Sequence, residues 1–184
     1  VLEKELKDVP DQQIMILAQN KNILVYLHKA IEHRNIGTVG YYVGGMKEEA
    51  LKESETCKII VATYAMAAEA LDIKSLTTLV LATPRTDVTQ AVGRILRMPH
   101  ERPLVIDIID IHDVFKNQWK KRRAFYNKHT YTIQKTTNDK YFKDEWTEDK
   151  PGKKRSSKKQ SNYTHHDDQD SSSGPMKKKC LIQL

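Results

Sequence analysis

The chain has 184 residues, and its 31 lysines and arginines against 24 aspartates and glutamates give a net charge of +7. Hydrophobic residues make up 39% of it, which is enough for one core with some chain left over. No apolar run approaches the roughly 18 residues of a membrane-spanning helix, so we expect a soluble protein. The two cysteines, Cys57 and Cys180, exclude a disulfide scaffold and favour an intracellular, reducing compartment.

Short apolar runs alternate with amphipathic segments along the first three quarters of the chain, and this alternation predicts strands separated by helices. The runs that predict strands are 14–18, 38–43, 58–62, 78–82 and 104–109. Helices are predicted after Asn20, whose side chain can cap a helix, through Ala50 and Leu51, over 88–98 and over 114–129. Strands spaced in this way predict right-handed crossovers and a parallel sheet. The predicted fold class is α/β, a three-layer parallel sheet with helices on both faces.

The composition changes near residue 138 and divides the chain into three segments. Residues 1–12 are interpreted as a linker remnant and residues 13–137 as the α/β domain. Because no signal-peptide pattern follows Val1, we expect the chain to begin inside a longer polypeptide. Residues 138–184 are rich in Lys, Ser, Asp, Gln and His, and such a basic tail buries too little apolar area to offset its ordering entropy. We expect it to be disordered and predict no metal site there, although His165 and His166 precede two aspartates.

Functional residues of parallel α/β folds lie at the carboxyl ends of the strands. Small, polar or charged residues follow four of the predicted strands: Gln19-Asn20, Gly44-Gly45, Thr63 with the later Glu69-Ala70-Leu71-Asp72, and Pro84-Arg85 leading to 90–97. These four places are the candidate functional edge of the sheet.

The segment 87–97 carries the most specific pattern. Asp87 and Gln90 have the spacing of a capping box, in which the Asp87 carboxylate binds the Gln90 amide. Arg94 and Arg97 then lie three residues apart on one side of the helix, and two guanidinium groups on one rigid element suit a phosphate chain. Gly93 lets a ligand approach closely. A solvated face with salt-bridged arginines is the alternative for an isolated R-x-x-R, but the whole Q-x-x-G-R-x-x-R spacing favours phosphate binding.

Three sequence stretches resemble conserved helicase motifs. QAVGRILR resembles motif VI, IVATYAMAAEALD motif V, and IMILAQ motif IV, with TVGYYVGGMKEEALKES resembling the segment between motifs IV and V. In this order they are similar to the C-terminal (second RecA-like) lobe of superfamily 2 ATP-dependent helicases. The resemblance covers roughly residues 10–134 and is closest in kind to the helicases of large cytoplasmic DNA viruses, related to poxvirus transcript-release and phage recombination helicases.

The resemblance implies a role for each matching residue. Arg94 and Arg97 would be arginine fingers that reach the γ-phosphate of ATP, with Gln90 joining nucleotide to nucleic acid. Asp72 would face the ribose or Arg94, beside Gly93. The nucleic-acid backbone would be contacted by Gln19, Gly44, Gly45 and Thr63. Family kinship favours DNA over RNA, and a virion or the host cytoplasm as the location.

Two departures from the family pattern limit this interpretation. The family usually has Gly where this chain has Ala70, which weakens the motif V match. The sequence also contains no G-x-x-x-x-G-K-[ST] loop and no acidic metal-binding box, so ATP with Mg would be bound mainly by an N-terminal lobe in the same or a partner chain. We expect the isolated chain to be inactive. The rival from another class is a non-catalytic nucleic-acid- or protein-binding module.

Two further groups of residues have ordinary structural explanations. Asp107 and Asp110 are predicted to flank the last strand and Asp113 to cap the next helix, rather than to act as catalytic acids. The helix over 114–129 alternates basic residues with aromatic ones. Its aromatics could stack on a nucleic-acid strand, or they could pack on the sheet while the lysines are solvated, and the sequence leaves both alternatives open.

Overall fold

The computed structural model describes residues 1–69, 73–95, 102–150 and 179–183. The strands in these ranges are β1 (Gln13–Ala18), β2 (Val39–Tyr42), β3 (Ile59–Thr63), β4 (Leu76–Leu81), β5 (Leu104–Ile108), β6 (Thr132–Thr136), β7 (Thr147–Glu148) and β8 (Lys179–Gln183). The helices are α1 (Leu2–Asp8), α2 (Lys21–His33), α3 (Glu48–Glu55), α4 (Tyr64–Glu69), α5 (Thr89–Ile95), α6 (Asp113–Lys128) and α7 (Asn138–Tyr141). Each of the five predicted strands is present.

One sheet contains the described strands in the order β2-β3-β1-β4-β5-β8-β6-β7. Its pairs are parallel except for β6 with β7, which are antiparallel. In the central register, Ile16 lies between Val61 of β3 and Val80 of β4. The parallel α/β class predicted from the alternation of strands and helices is confirmed.

Both faces of the sheet are covered by helices, because the central strands are apolar on both sides. On one face, Met15 and Leu17 of β1 belong to a buried cluster that also receives side chains from α5 and α6. On the other face, Ile14 and Ile16 pack in a second cluster with Leu24 of α2. This arrangement confirms the three-layer architecture.

Two of the three predicted helix caps, at Asn20 and Asp113, have different outcomes. The Asn20 side chain caps α2 and accepts a hydrogen bond from the Asn22 amide at 2.8 Å, as predicted. At α6 the N-cap residue is His112, and no side-chain cap bond forms. Asp113 is already inside the helix, where its carboxylate lies 3.3 Å from the Lys116 ammonium. The predicted cap at Asp113 is therefore wrong by one position.

The domain continues past the predicted boundary at residue 137. Residues 138–150 form α7 and β7, and Asp149 accepts hydrogen bonds from Arg123 of α6. β8 comes from the apolar end of the predicted tail and pairs in parallel with both β5 and β6. Residues 151–178, including the paired histidines, lie outside the described residues. The composition alone therefore places the end of the domain too early.

We predict that Gly40→Ala destabilises the protein by about 1–3 kcal/mol, since overpacking forces neighbouring atoms to move. A Cβ on Gly40 of β2 would lie 2.8 Å from the Ser54 Cα, a backbone atom of α3. Denaturant unfolding measures the effect. Gly37→Ala is the control, because its Cβ would make an ordinary 3.5 Å contact with Lys58. Equal midpoints for the two variants would contradict the predicted close approach.

Candidate functional site

The carboxyl edge of the sheet brings three of the predicted nucleic-acid contacts together. Ala18 at the end of β1 is the register partner of Thr63 at the end of β3, and Tyr42 of β2 is the partner of Ala62. Gln19, Thr63 and Gly44 therefore lie at or just after the ends of three adjacent strands. Because parallel strands end at the same edge, these residues form one continuous surface.

The glycine pair after β2 is exposed and contains a left-handed residue. Gly45 has φ +90°, a conformation that side chains other than glycine rarely adopt. The Lys21 ammonium donates a hydrogen bond to the Gly44 carbonyl at 3.3 Å and adds a cation that the sequence patterns had not singled out. The next helix begins only at Glu48 and has two glutamates in its first turn. A phosphate beside Gly44 would therefore be attracted by Lys21 rather than by that helix terminus.

The Thr63 hydroxyl also has a local role. It is half-buried and accepts a hydrogen bond from the Met66 amide at 3.4 Å, in the first turn of α4. Gln19 is exposed, and its backbone amide donates a hydrogen bond to the Thr83 hydroxyl at 2.9 Å. The ends of β1 and β4 are thus joined at the same edge where Thr63 lies.

The helix α5, which was predicted to carry the paired arginines, begins near the predicted position, but its capping contact differs. The Asp87 carboxylate accepts from the Thr89 amide at 2.9 Å, so the expected bond to the Gln90 amide is wrong by one residue. Hydrogen bonds from Thr89 lower the pKa of Asp87 below its ordinary value. Gln90 is exposed. Gly93 is also exposed, and an added Cβ would meet no atom of the described residues within 4 Å.

The residues proposed to reach the nucleotide are only partly within the described ranges. Arg94 lies in α5, one turn after Gln90. Arg97, Asp72 and the unusual Ala70 lie outside the described residues. Their roles stay predictions.

A buried ion pair lies beneath this edge, and no sequence pattern indicated it. Asp107 lies inside β5 with 0% exposure, rather than flanking the strand as predicted. The Arg122 guanidinium binds both of its carboxylate oxygens, from Nε at 2.7 Å and from Nη2 at 3.0 Å. The Tyr126 hydroxyl donates to the same carboxylate at 3.2 Å. Burial raises the pKa of Asp107, and the bonds from Arg122 and Tyr126 oppose that shift.

The same arginine fixes the loop that leads into α5. Arg122 Nη1 donates to the Arg85 carbonyl at 2.5 Å. Two residues earlier in the loop, the Thr83 carbonyl accepts from the Tyr64 hydroxyl at 2.7 Å. Burial, followed by the negative charge of Asp107, raises the pKa of Tyr64, so its hydroxyl keeps the proton that it donates. The loop between β4 and α5 is therefore held at two carbonyl groups.

The alternatives for the basic helix α6 are settled by burial. Trp119 and Tyr126 are buried in the core, and Phe125 packs against the same cluster. The lysines of the helix are exposed: Lys116, Lys120, Lys121 and Lys128. Packing on the sheet, rather than stacking on nucleic acid, accounts for these aromatic residues.

The described part of the chain contains no group of three or more metal-ligating side chains. Nor does any of its helices have the length and hydrophobicity needed to cross a bilayer. The edge contains backbone amides, hydroxyls and cations, which are groups that bind phosphates.

Comparison with known proteins adds relatives from large DNA viruses. A protein of Acanthamoeba polyphaga mimivirus that carries the name of an ATP-dependent RNA helicase is 43% identical over 138 residues, covering 73% of this chain and 27% of that protein. An African swine fever virus protein named in the same way is 26% identical over 130 residues, covering 65% of this chain and 26% of that protein. A protein of Invertebrate iridescent virus 6, named as a helicase, is 24% identical over 140 residues, covering 67% and 32%. No protein-family model matches the chain.

Solved structures show the same fold. The C-terminal part of the Fun30 ATPase domain matches with a TM-score of 0.55 and 10% identity, covering 65% of this chain and 43% of that one. The helicase domain of Pyrococcus furiosus Hef matches with a TM-score of 0.50 and 16% identity, covering 66% and 26%. The chain therefore has the RecA-like fold of helicase lobes and is similar in sequence to proteins of large DNA viruses that are named as helicases. The resemblance found in the sequence is thereby confirmed, and the lobe spans about a quarter of the length of the first two viral relatives.

We predict that Arg122→Met destabilises the helicase lobe by about 3–5 kcal/mol, because it leaves the Asp107 carboxylate buried without its partner. The double variant Asp107→Leu with Arg122→Met removes both charges and should recover most of that loss. Thermal and denaturant unfolding measure both effects. Lys121→Met, at an exposed neighbouring position on α6, is the matched control and should change stability by less than about 0.5 kcal/mol. A single variant as stable as this control would show that the pair does not hold the fold.

Proposed function

We propose that this chain is the second motor lobe of an ATP-dependent nucleic-acid helicase or translocase. The observation that carries the proposal is the position of α5, which starts at the carboxyl edge and carries Gln90, Gly93 and Arg94 in succession. Its leading loop is held by Tyr64 and Arg122, so the helix projects from a fixed point. A helix fixed in this way can present Arg94 to a phosphate without reorganisation when the ligand arrives. Arg97, which lies outside the described residues, is proposed to contact the same phosphate chain.

The groups present at this edge fit a nucleotide phosphate held from the opposite side. Gln90 offers an exposed amide, and the open space at Gly93 allows close approach. Mg-bound ATP supplies the phosphoanhydride bond that is cleaved. Since the sequence contains neither a phosphate loop nor an acidic metal-binding box, we assign ATP and Mg binding mainly to a separate lobe. Asp72, at the end of motif V, is proposed to contact the ribose or Arg94.

Nucleic acid is proposed to lie along the ends of β1, β2 and β3. Gln19, Thr63 and the exposed glycines Gly44 and Gly45 would contact its backbone, with Lys21 supplying a nearby positive charge. Such contacts are independent of base sequence, as movement along a strand requires. Kinship favoured DNA, whereas two relatives are named as RNA helicases, so DNA and RNA are both tested below. We place this activity in a virion or in the cytoplasm of a host cell.

We predict that Arg94→Gln in the full polypeptide lowers nucleic-acid-stimulated ATP turnover at least about 1000-fold, as loss of an arginine finger does. Affinity for single-stranded DNA and RNA should stay within about twofold, since the proposed role of Arg94 is toward the nucleotide and not toward the nucleic-acid backbone. A phosphate-release assay and fluorescence anisotropy give the two measurements. Lys74→Gln is the control, because this exposed lysine precedes β4 at the opposite edge of the sheet. Joint loss of turnover and binding would indicate misfolding instead of a missing finger.

The isolated 184-residue chain should release no phosphate from ATP above background, with or without nucleic acid. The reason is that its sequence contains neither the phosphate loop nor the acidic box that hold the β- and γ-phosphates with Mg. The same phosphate-release assay on the purified chain tests this, with the full polypeptide as positive control. Turnover that disappears in Arg94→Gln would refute the need for another lobe. Absence of turnover in the full polypeptide, with nucleic-acid binding retained, would instead support the non-catalytic module.

A further inference from the structure

Arg85 is a cation at the carboxyl edge that has no role in the function proposed above. Arg85 lies in the loop between β4 and α5, and its side chain is half-buried. Its guanidinium carbon lies 5.0 Å from the centroid of the Tyr64 ring. Together with Asp87, Gln90 and Ala91, these two residues line a shallow pocket beside the start of α5.

The support beneath this guanidinium is rigid. The Tyr64 ring is only 3% exposed, and its hydroxyl is bonded to the Thr83 carbonyl. The carbonyl of Arg85 itself accepts a hydrogen bond from the buried Arg122. A guanidinium group over an aromatic face keeps its N–H edges free, and this geometry suits a bidentate contact with phosphate.

Within the described ranges, no carboxylate is bonded to this cation. The Arg85 guanidinium has no hydrogen bond or ion pair there, although other arginines of the same ranges, such as Arg122 and Arg123, are bonded to carboxylates. Asp87 lines the same pocket, and its Oδ1 atom accepts from the Thr89 amide. The hydrogen bonds from Thr89, followed by the positive charge of Arg85, lower the pKa of Asp87. A guanidinium that is fixed in a pocket, and that no carboxylate of the described residues binds, is placed for an anionic ligand rather than for stability.

We propose that Arg85, seated on Tyr64, is an additional phosphate-binding residue of this lobe. The inference rests on the proposed function, because that function supplies the two sources of phosphate: the backbone of a nucleic-acid strand and the phosphate chain of a nucleotide. The pocket adjoins the proposed path of the nucleic-acid strand. Tyr64 directly follows Thr63, and its hydroxyl donates to the Thr83 carbonyl. The Thr83 hydroxyl in turn accepts from the backbone amide of Gln19. Gln90 connects the pocket to the proposed nucleotide side.

The test compares Arg85→Gln with Arg85→Lys in the full polypeptide, with Lys74→Gln as a charge-matched control. Binding of single-stranded DNA and RNA oligonucleotides is measured by anisotropy across a salt series. Loss of one phosphate contact should reduce the slope of log K against log salt by about 0.7. A non-hydrolysable ATP analogue is titrated in parallel. Because both substitutions preserve the backbone carbonyl bonded to Arg122, the fold should be kept, and thermal unfolding checks this.

Two results would support the inference. A smaller salt slope in Arg85→Gln, restored in Arg85→Lys and unchanged in Lys74→Gln, would assign the contact to the nucleic-acid backbone. An unchanged slope with at least about tenfold weaker binding of the ATP analogue would assign it to the nucleotide. If Arg85→Gln fails to fold, Arg85→Met, which keeps an unbranched apolar chain over Tyr64, takes its place in the same comparison.

Two results would overturn it, and they are distinguishable. If the unmodified polypeptide binds both ligands and Arg85→Gln behaves like Lys74→Gln, the additional contact is absent while the proposed function stands. If the unmodified polypeptide binds neither nucleic acid nor the ATP analogue, the proposed function fails and the role of Arg85 fails with it.

Discussion

The buried carboxylate of Asp107, near the carboxyl end of β5, imposes the strongest constraint on this lobe. A charge at a fully buried position is tolerated only when it is paired and hydrogen-bonded, and here Arg122 and Tyr126 of α6 supply those bonds. The pairing fixes the register of α6 on the sheet, because a shift of one residue along the helix would remove the guanidinium from reach. The third bond of Arg122, to the Arg85 carbonyl, carries this constraint to the functional edge.

Elements that belong to different proposed contacts therefore share one support. Thr63, proposed to contact nucleic acid, is followed directly by Tyr64, whose hydroxyl holds the loop that leads to α5. The backbone amide of Gln19 donates a hydrogen bond to the Thr83 hydroxyl in the same loop. If the residues proposed to contact nucleic acid were displaced, these hydrogen bonds would transmit the displacement to the loop that leads into α5. In the proposed motor, this connection is the physical means by which grip on the strand and contact with the nucleotide depend on each other.

The fold was readable from the sequence because its determinants are local. Buried parallel strands require continuous apolar runs such as Ile14 to Ala18, and the asparagine at position 20 caps a helix through its own neighbours. The failures involve partners distant in sequence or composition averaged over long segments. Asp107 and Arg122 are 15 residues apart, so no periodicity reveals their bond. Residues 138–150 read as a polar tail, although contacts such as Arg123 with Asp149 hold them on the domain.

The candidate edge was predictable in position but not in its charges. Strand ends locate Gln19, Gly44 and Thr63, since topology alone puts them side by side. Whether a cation is neutralised depends on which groups lie beside it in three dimensions. Arg122 and Arg123 are bonded to carboxylates, whereas no carboxylate of the described residues is bonded to Arg85. An arginine such as Arg85, which is supported by Tyr64 and bonded to no carboxylate of the described residues, keeps its electrostatic potential for a ligand. Counting charges in the sequence cannot make this distinction, and it is the distinction on which phosphate binding depends.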